Sequence, residues 1–217
     1  MRITSVNVGM PAPLPGGEGG VTSGIVKAPV AGRVRVGRTN LEGDGQADLT
    51  VHGGPDKAVY AYPAQHYAAW AAELGRDDLV TGIFGENLTL EGVDEGDVLI
   101  GDRFRMGSAL LEVSQPRIPC FKLGIRMGDP HFLKPFLRSG RTGFYLRVVE
   151  EGHLAAGDPV ERVSRGEGRV SVREVARLFT AGDDPADYSR AAAAPALTDG
   201  WKVRMLERAD ALRRRAR

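Results

Sequence analysis

The chain has 217 residues, 42% hydrophobic and 26% charged, with 29 basic against 28 acidic side chains and a net charge of +1. This globular balance excludes a disordered chain, and it lacks the basic excess that non-specific nucleic-acid binding draws on. A single cysteine, Cys120, excludes an internal disulfide framework, and no run approaches the roughly 18 apolar residues of a membrane span.

Ile3, Val6 and Val8 predict an opening strand without the apolar core of a secretory leader, so the cytoplasm is the expected compartment. Residues 11–20 are a Gly/Pro-rich loop, and 21–26 read as a strand. A strand after the glycines, and not a helix, excludes a dinucleotide-binding turn. From 30 to 113, short β-type runs alternate with Gly and Asp turns. Strands are predicted at 34–36, 58–62, 84–90, 98–106 and 110–114, with Gly107-Ser108 as a two-residue hairpin turn. Between them, Pro63 opens a helix whose Tyr67, Trp70 and Leu74 share one face. Residues 114–123 read as a shaped loop and not a helix, because Pro116 and Pro119 bias the chain to an extended path.

Another strand follows at 143–150. The turns at 91–98 and 151–160 resemble each other, each feeding a strand. Many short strands at this spacing predict a mainly β fold, a closed or partly closed barrel with peripheral helices over 1–168. Ser171 with Glu174 forms a capping box, and helices over 172–179, 185–194 and 199–215 predict a small three-helix subdomain over 169–217.

Four segments can carry chemistry. Cys120 follows Pro119 directly, with Arg117 and Lys122 close enough to favour its thiolate; a buried structural cysteine is the competing reading. In 52–57, Gly53 and Gly54 permit close backbone approach to an anion and Lys57 adds charge, against an ordinary tight turn. His52 has no partner at metal-ligand spacing. Glu86 and Asn87 can hydrogen-bond a heterocycle edge or simply open a strand. Arg141, between glycines, can grip a phosphate or lie solvated on the surface. The basic end at 213–217 is a helix terminus with cations at its negative pole.

In this order, His52-Gly53-Gly54-Pro55-Asp56-Lys57, Gly85-Glu86-Asn87-Leu88, Gln115-Pro116-Arg117 with Pro119-Cys120-Phe121-Lys122, and Gly140-Arg141 with Gly143 resemble the MOSC-domain family (molybdenum-cofactor sulfurase C-terminal domain), in its YiiM-like branch. The resemblance implies a MOSC-type β-barrel, a molybdenum cofactor, and reduction of N-hydroxylated compounds such as toxic base analogues. Carried over, Cys120 is the thiolate and metal ligand. Arg117, Lys57 and Arg141 hold the cofactor's phosphate or pterin, and His52, Gly53, Gly54, Asn87 and Lys122 line the pocket. Electrons come from a separate reductase, since one cysteine cannot hold an iron–sulfur cluster and no flavin or nicotinamide motif is visible. No nucleic-acid or membrane partner is implied, and a homodimer is possible. The alternatives are a sulfur carrier using a Cys120 persulfide, and a non-catalytic cofactor-binding or delivery module.

Overall fold

The computed structural model describes residues 1–17, 19–49 and 53–216. Strands β1 (Arg2–Val8), β2 (Ala12–Pro13), β3 (Thr22–Ser23), β4 (Ala28–Pro29) and β5 (Val34–Val36) come first. A single 3-10 turn at Pro55–Lys57 leads into β6 (Val59–Pro63), α1 (Gln65–Leu74) and β7 (Leu88–Glu91). The hairpin β8 (Arg103–Met106) and β9 (Ala109–Pro116) is followed by α2 (Phe121–Met127), α3 (Leu133–Arg138), β10 (Phe144–Glu150), β11 (Gly152–Leu154) and β12 (Val160–Ser164). The chain ends in α4 (Val172–Ala181), α5 (Pro185–Ala192) and α6 (Asp199–Arg215).

Eight strands form one sheet in the order β12-β8-β9-β10-β6-β7-β1-β4. Its one parallel pair, β6 with β7, needs a crossover, and α1 supplies it by burying His66 and Trp70. Every residue of β6 and β9 is buried, as central strands covered on both faces require. Met106 pairs with Ala109 across Gly107-Ser108, the expected hairpin turn.

The ladder ends at β12 and β4. Backbone bonds from Ile3 N–H to Asp158 O and from Val160 N–H to Met1 O, both 3.0 Å, tie β1 to the approach to β12. These contacts fall short of a continuous ladder, so the mainly β core expected from strand spacing stands, but of the closed or partly closed barrel expected with it no closed one is formed.

The apolar faces of α4, α5 and α6 (Val172, Val175, Tyr188, Trp201, Met205) belong to the same cluster as Phe104, Leu111 and Val113 of the sheet. A second, aromatic cluster joins Tyr62, Trp70 and Phe84 to Leu123, Met127, Phe132 and Phe136. The Ser171–Glu174 capping box opens α4 as the sequence predicts.

Several boundaries differ from the sequence-based expectation. The strand expected over 84–90 starts at Leu88, because Gly85 turns the chain at φ 81° where a Cβ would lie 2.7 Å from Ile25. The strand expected over 98–106 starts at Arg103, after Gly101 turns at φ 90°. Between 21 and 26, only Thr22–Ser23 pairs. The region read as a loop over 114–123 is the end of β9, a bend, and the start of α2. Pro116 tolerates a strand end, where no ladder donor is needed. No proline follows Pro119 until Pro130, so α2 can form, and docking of Leu123 and Met127 on the aromatic cluster holds this seven-residue helix.

Candidate functional site

Cross-strand register assembles the floor of the site. Tyr145 on β10 stands opposite Gln115 on β9 and opposite Tyr60 on β6. Paired residues project to the same face, so the three side chains form a row. The Tyr60 and Tyr145 ring centres are 5.3 Å apart. Burial pushes both phenols up, so they stay neutral donors.

Just beyond the end of β9, Arg117 turns back over this row. Its guanidinium carbon lies 5.0 Å from the Tyr60 ring centre and 5.5 Å from that of Phe136. Arg117 is 6% exposed, and its Nη1 has no hydrogen-bond partner among the described residues. A buried cation with an unmet donor is costly unless an anion completes it. Three residues on, Cys120 is half-buried at the N-cap of α2. Arg117 and Cys120 line one cavity of about 90 Å³ with Lys57, Tyr60, Asn87 and Lys122.

The back wall of that cavity is a buried polar network. Lys27 donates to Asp44, which also accepts from Gly9 N–H at 2.9 Å and Asn87 Nδ2 at 2.8 Å. Asn87 accepts from Tyr60 N–H at 3.0 Å, so its side chain is spent on bracing strands. Burial pushes the Lys27 and Lys57 ammonium groups below their usual range, with Asp44 and Asp56 respectively opposing the shift. Glu86 is fully buried and does not line either cavity. Its Oε1 accepts from the Tyr67 phenol, Gly82 N–H and Thr89 Oγ1, and burial pushes its carboxyl up.

A second concavity of about 530 Å³ adjoins the first and shares Lys57, Ile118, Cys120 and Tyr145 with it. Its outer wall is the start of α6, with Thr198, Gly200, Trp201 and Arg204. Gly53 and Gly54 border this space, but for different reasons. A Cβ at Gly53 would strike Leu49 Cδ2 at 2.7 Å, a packing constraint, whereas Gly54 holds φ 92° with open space around it.

Of the residues expected at the site, Cys120, Arg117, Lys57, Asn87 and Lys122 converge on one cavity, and Gly53 and Gly54 lie beside it. Lys122 also donates to Thr22 O at 3.1 Å. His52 lies outside the described residues. Arg141 does not join: its guanidinium pairs with Glu73 at 2.6 Å and stacks 3.9 Å from the Trp70 ring centre. The flanking glycines do set a turn there, but it aims Arg141 at α1. Sequence reasoning missed Tyr60, Tyr145, Lys27, Asp44 and Arg204. Gln115 was visible beside Arg117 but had no role assigned. Tyr60 and Tyr145 lie in correctly read strands, but their shared face depends on register. Lys27 and Asp44 carry no local signal, since their pairing spans 17 positions.

Among the described residues, no group of three or more His, Cys, Asp or Glu side chains could hold a metal, and no helix is long and apolar enough to cross a membrane. The family model of the MOSC domain matches residues 48–161. The chain is 41% identical over 211 residues to the uncharacterized protein YflK of Bacillus subtilis (strain 168), covering 97% of this chain and 95% of that one. It is 38% identical to protein YiiM of Escherichia coli (strain K12) over 192 residues, 87% and 85% of the two chains. A protein named reductase from Gibberella moniliformis is 40% identical over 169 residues, 76% of this chain but 30% of that protein. The crystal structure of YiiM from Geobacillus stearothermophilus superposes with a TM-score of 0.81 at 37% identity, over 96% of this chain and 98% of that one.

Proposed function

The chain belongs to the MOSC-domain family, and on that premise we propose that it binds a molybdenum cofactor and reduces N-hydroxylated compounds, with Cys120 as the thiolate ligand of the metal. The observation that carries this reading is that Cys120 and Arg117 line one cavity, and that the buried Nη1 of Arg117 has no partner among the described residues. An anionic pterin with its own sulfur ligands suits this donor set. It would meet the unmet guanidinium, and its metal would need only one ligand from the protein, a soft thiolate. The protein offers no three-ligand cluster among its described residues, so a metal at Cys120 must bring most of its ligands with it.

In this reading Arg117 and Lys57 hold the anionic cofactor, and Asn87 and Asp44 keep the wall rigid. When bound, the cofactor supplies two-electron transfer at the metal, fed by a separate electron-donating reductase. Cleaving the N–O bond of a hydroxylamine to an amine and water also takes two protons. Lys57 lines both cavities together with Cys120, and its lowered proton affinity suits it to deliver one. The fungal relative's name supports a redox reaction class. A thiolate that must stay reduced fits the cytoplasm.

The test is production in a host that makes the molybdenum cofactor, followed by metal and pterin analysis and an assay with an N-hydroxylated base and a reduced electron donor. Stoichiometric molybdenum and turnover in the wild type, with both lost in Cys120→Ala, is the expected result. Metal-free wild type carrying one extra sulfur on Cys120 would replace this reading with sulfur carriage by a persulfide. Cofactor binding without turnover under a competent donor would replace it with a delivery module.

A further inference from the structure

We infer that the concavity between the Cys120 loop and α6 is a phosphate-monoester site, built from the N-terminus of α6, Arg204 and the amide of Gln115. The first N–H groups of a helix have no intrahelical acceptor and attract anions when no side chain caps them. Here Thr198, the N-cap residue, makes no side-chain capping bond; its hydroxyl donates instead to Gln115 Oε1 at 3.0 Å. Gly200 lines the concavity, and a Cβ built on it meets nothing within 4 Å, so the helix start faces open space.

Gln115 is an independent pointer to a ligand. It is 6% exposed and lines the same concavity. Its Oε1 accepts from Thr198, and its Nε2 has no acceptor among the described residues. Arg204 stands one turn along α6 from Gly200. Its guanidinium lies 5.1 Å from the Phe179 ring centre and has no carboxylate partner among the described residues. Nearby acids do not cancel this field. Asp56 is held by Arg147 at 2.7 Å, and Asp199 has a 99% exposed side chain that faces Lys202 at 3.6 Å. Several N–H donors around one cation match the oxygens of a phosphate.

Two sources carry that chemistry: the phosphate of a nucleotide-type substrate, or the terminal phosphate of the cofactor. The inference takes from the proposed function only that Cys120 marks the reactive end; phosphate binding itself needs no turnover.

Calorimetric titration with adenosine 5′-monophosphate and with adenosine tests it, on protein made with and without the molybdenum cofactor. Cofactor-free wild type is expected to bind the monophosphate roughly tenfold tighter than the nucleoside. Arg204→Gln and Gly200→Asp should erase that preference while unfolding at the wild-type temperature, since an acidic residue in the first turn suits the helix. Arg208→Gln, which borders the neighbouring depression on α6 that Arg204 also lines but not the concavity itself, should keep it. A preference that survives cofactor loading assigns the site to the substrate's phosphate. A preference lost on loading, with less pterin retained by Arg204→Gln, assigns it to the cofactor's. Equal affinity for the two probes in cofactor-free wild type, or a preference untouched by both variants, overturns the inference. Neither result depends on whether Cys120 ligates metal, so a missing reductase activity remains a separate failure.

Discussion

Arg141 donates from Nη2 to Glu73 Oε2 at 2.6 Å while its guanidinium lies 3.9 Å from the centre of the Trp70 ring. This pairing pins the turn before β10 onto α1. Arg141→Ala should therefore lower stability by about 1 kcal/mol, mainly through lost stacking, or about 2–4 °C in Tm, and leave molybdenum content unchanged. Thermal unfolding beside metal analysis checks it. Lost metal at unchanged Tm would return Arg141 to the site. The bond to Arg141 also holds the Glu73 carboxyl below its usual range. Any stabilisation from that pair is present above the ordinary carboxylate value and lost as pH falls through the lowered one.

Arg117 should behave in the opposite way. Its buried Nη1 has no partner among the described residues, so the cofactor-free protein bears the desolvation cost of that donor. Arg117→Met should leave the cofactor-free protein within about 1 kcal/mol of wild type, or more stable, while cofactor retention is lost. Urea midpoints of both cofactor-free proteins, with pterin content after expression in a competent host, separate the two effects.

Cys120 occupies the N-cap of α2 with extended backbone angles and no side-chain capping bond. Serine is favoured at that position, so Cys120→Ser should fold with stability equal to wild type or about 0.5 kcal/mol above it, yet retain no metal. Unfolding of Cys120→Ser several degrees below wild type would mark the thiol as core packing.

Lys27 and Asp44 form an ion pair with 7% and 1% of their side chains exposed. Lys27→Met leaves a buried carboxylate without its cation and should cost about 3–5 kcal/mol. Adding Asp44→Asn should recover part of that, because the pair then carries no charge and the amide oxygen still accepts from Gly9, although its Nδ2 faces the Asn87 Nδ2 donor. A double-mutant cycle in urea reads the coupling directly.

Glu86 gives a pH signature. Burial raises its carboxyl above the usual range in the folded protein. As pH rises, the unfolded chain ionises first, near 4.3 by the ordinary value for Glu. The stability contributed by the protonated form is full below that value and is lost as pH rises through the raised folded one. Glu86→Gln removes this titration. The stability difference, wild type minus variant, should fall with increasing pH across that window and be flat outside it.

The sequence by itself determined what neighbouring residues decide. The capping box at Ser171 and Glu174, the Gly107-Ser108 hairpin, the β alternation of 144–150 and the ordered motifs around Lys57, Asn87, Arg117 and Cys120 all act over a few positions, so they are legible along the chain. Tertiary structure decided the rest, because it depends on packing between distant segments. Thr198 meets Gln115 across 83 positions, which sets the α6 wall beside Cys120. Register alone puts Tyr60, Tyr145 and Gln115 on one face, where a one-residue slip would separate them. Arg141 reads as an anion grip in its glycine-flanked turn, but docking of α1 gave it Trp70 and Glu73 instead. A guanidinium takes whichever partner the packing places within reach, and no local pattern encodes that choice.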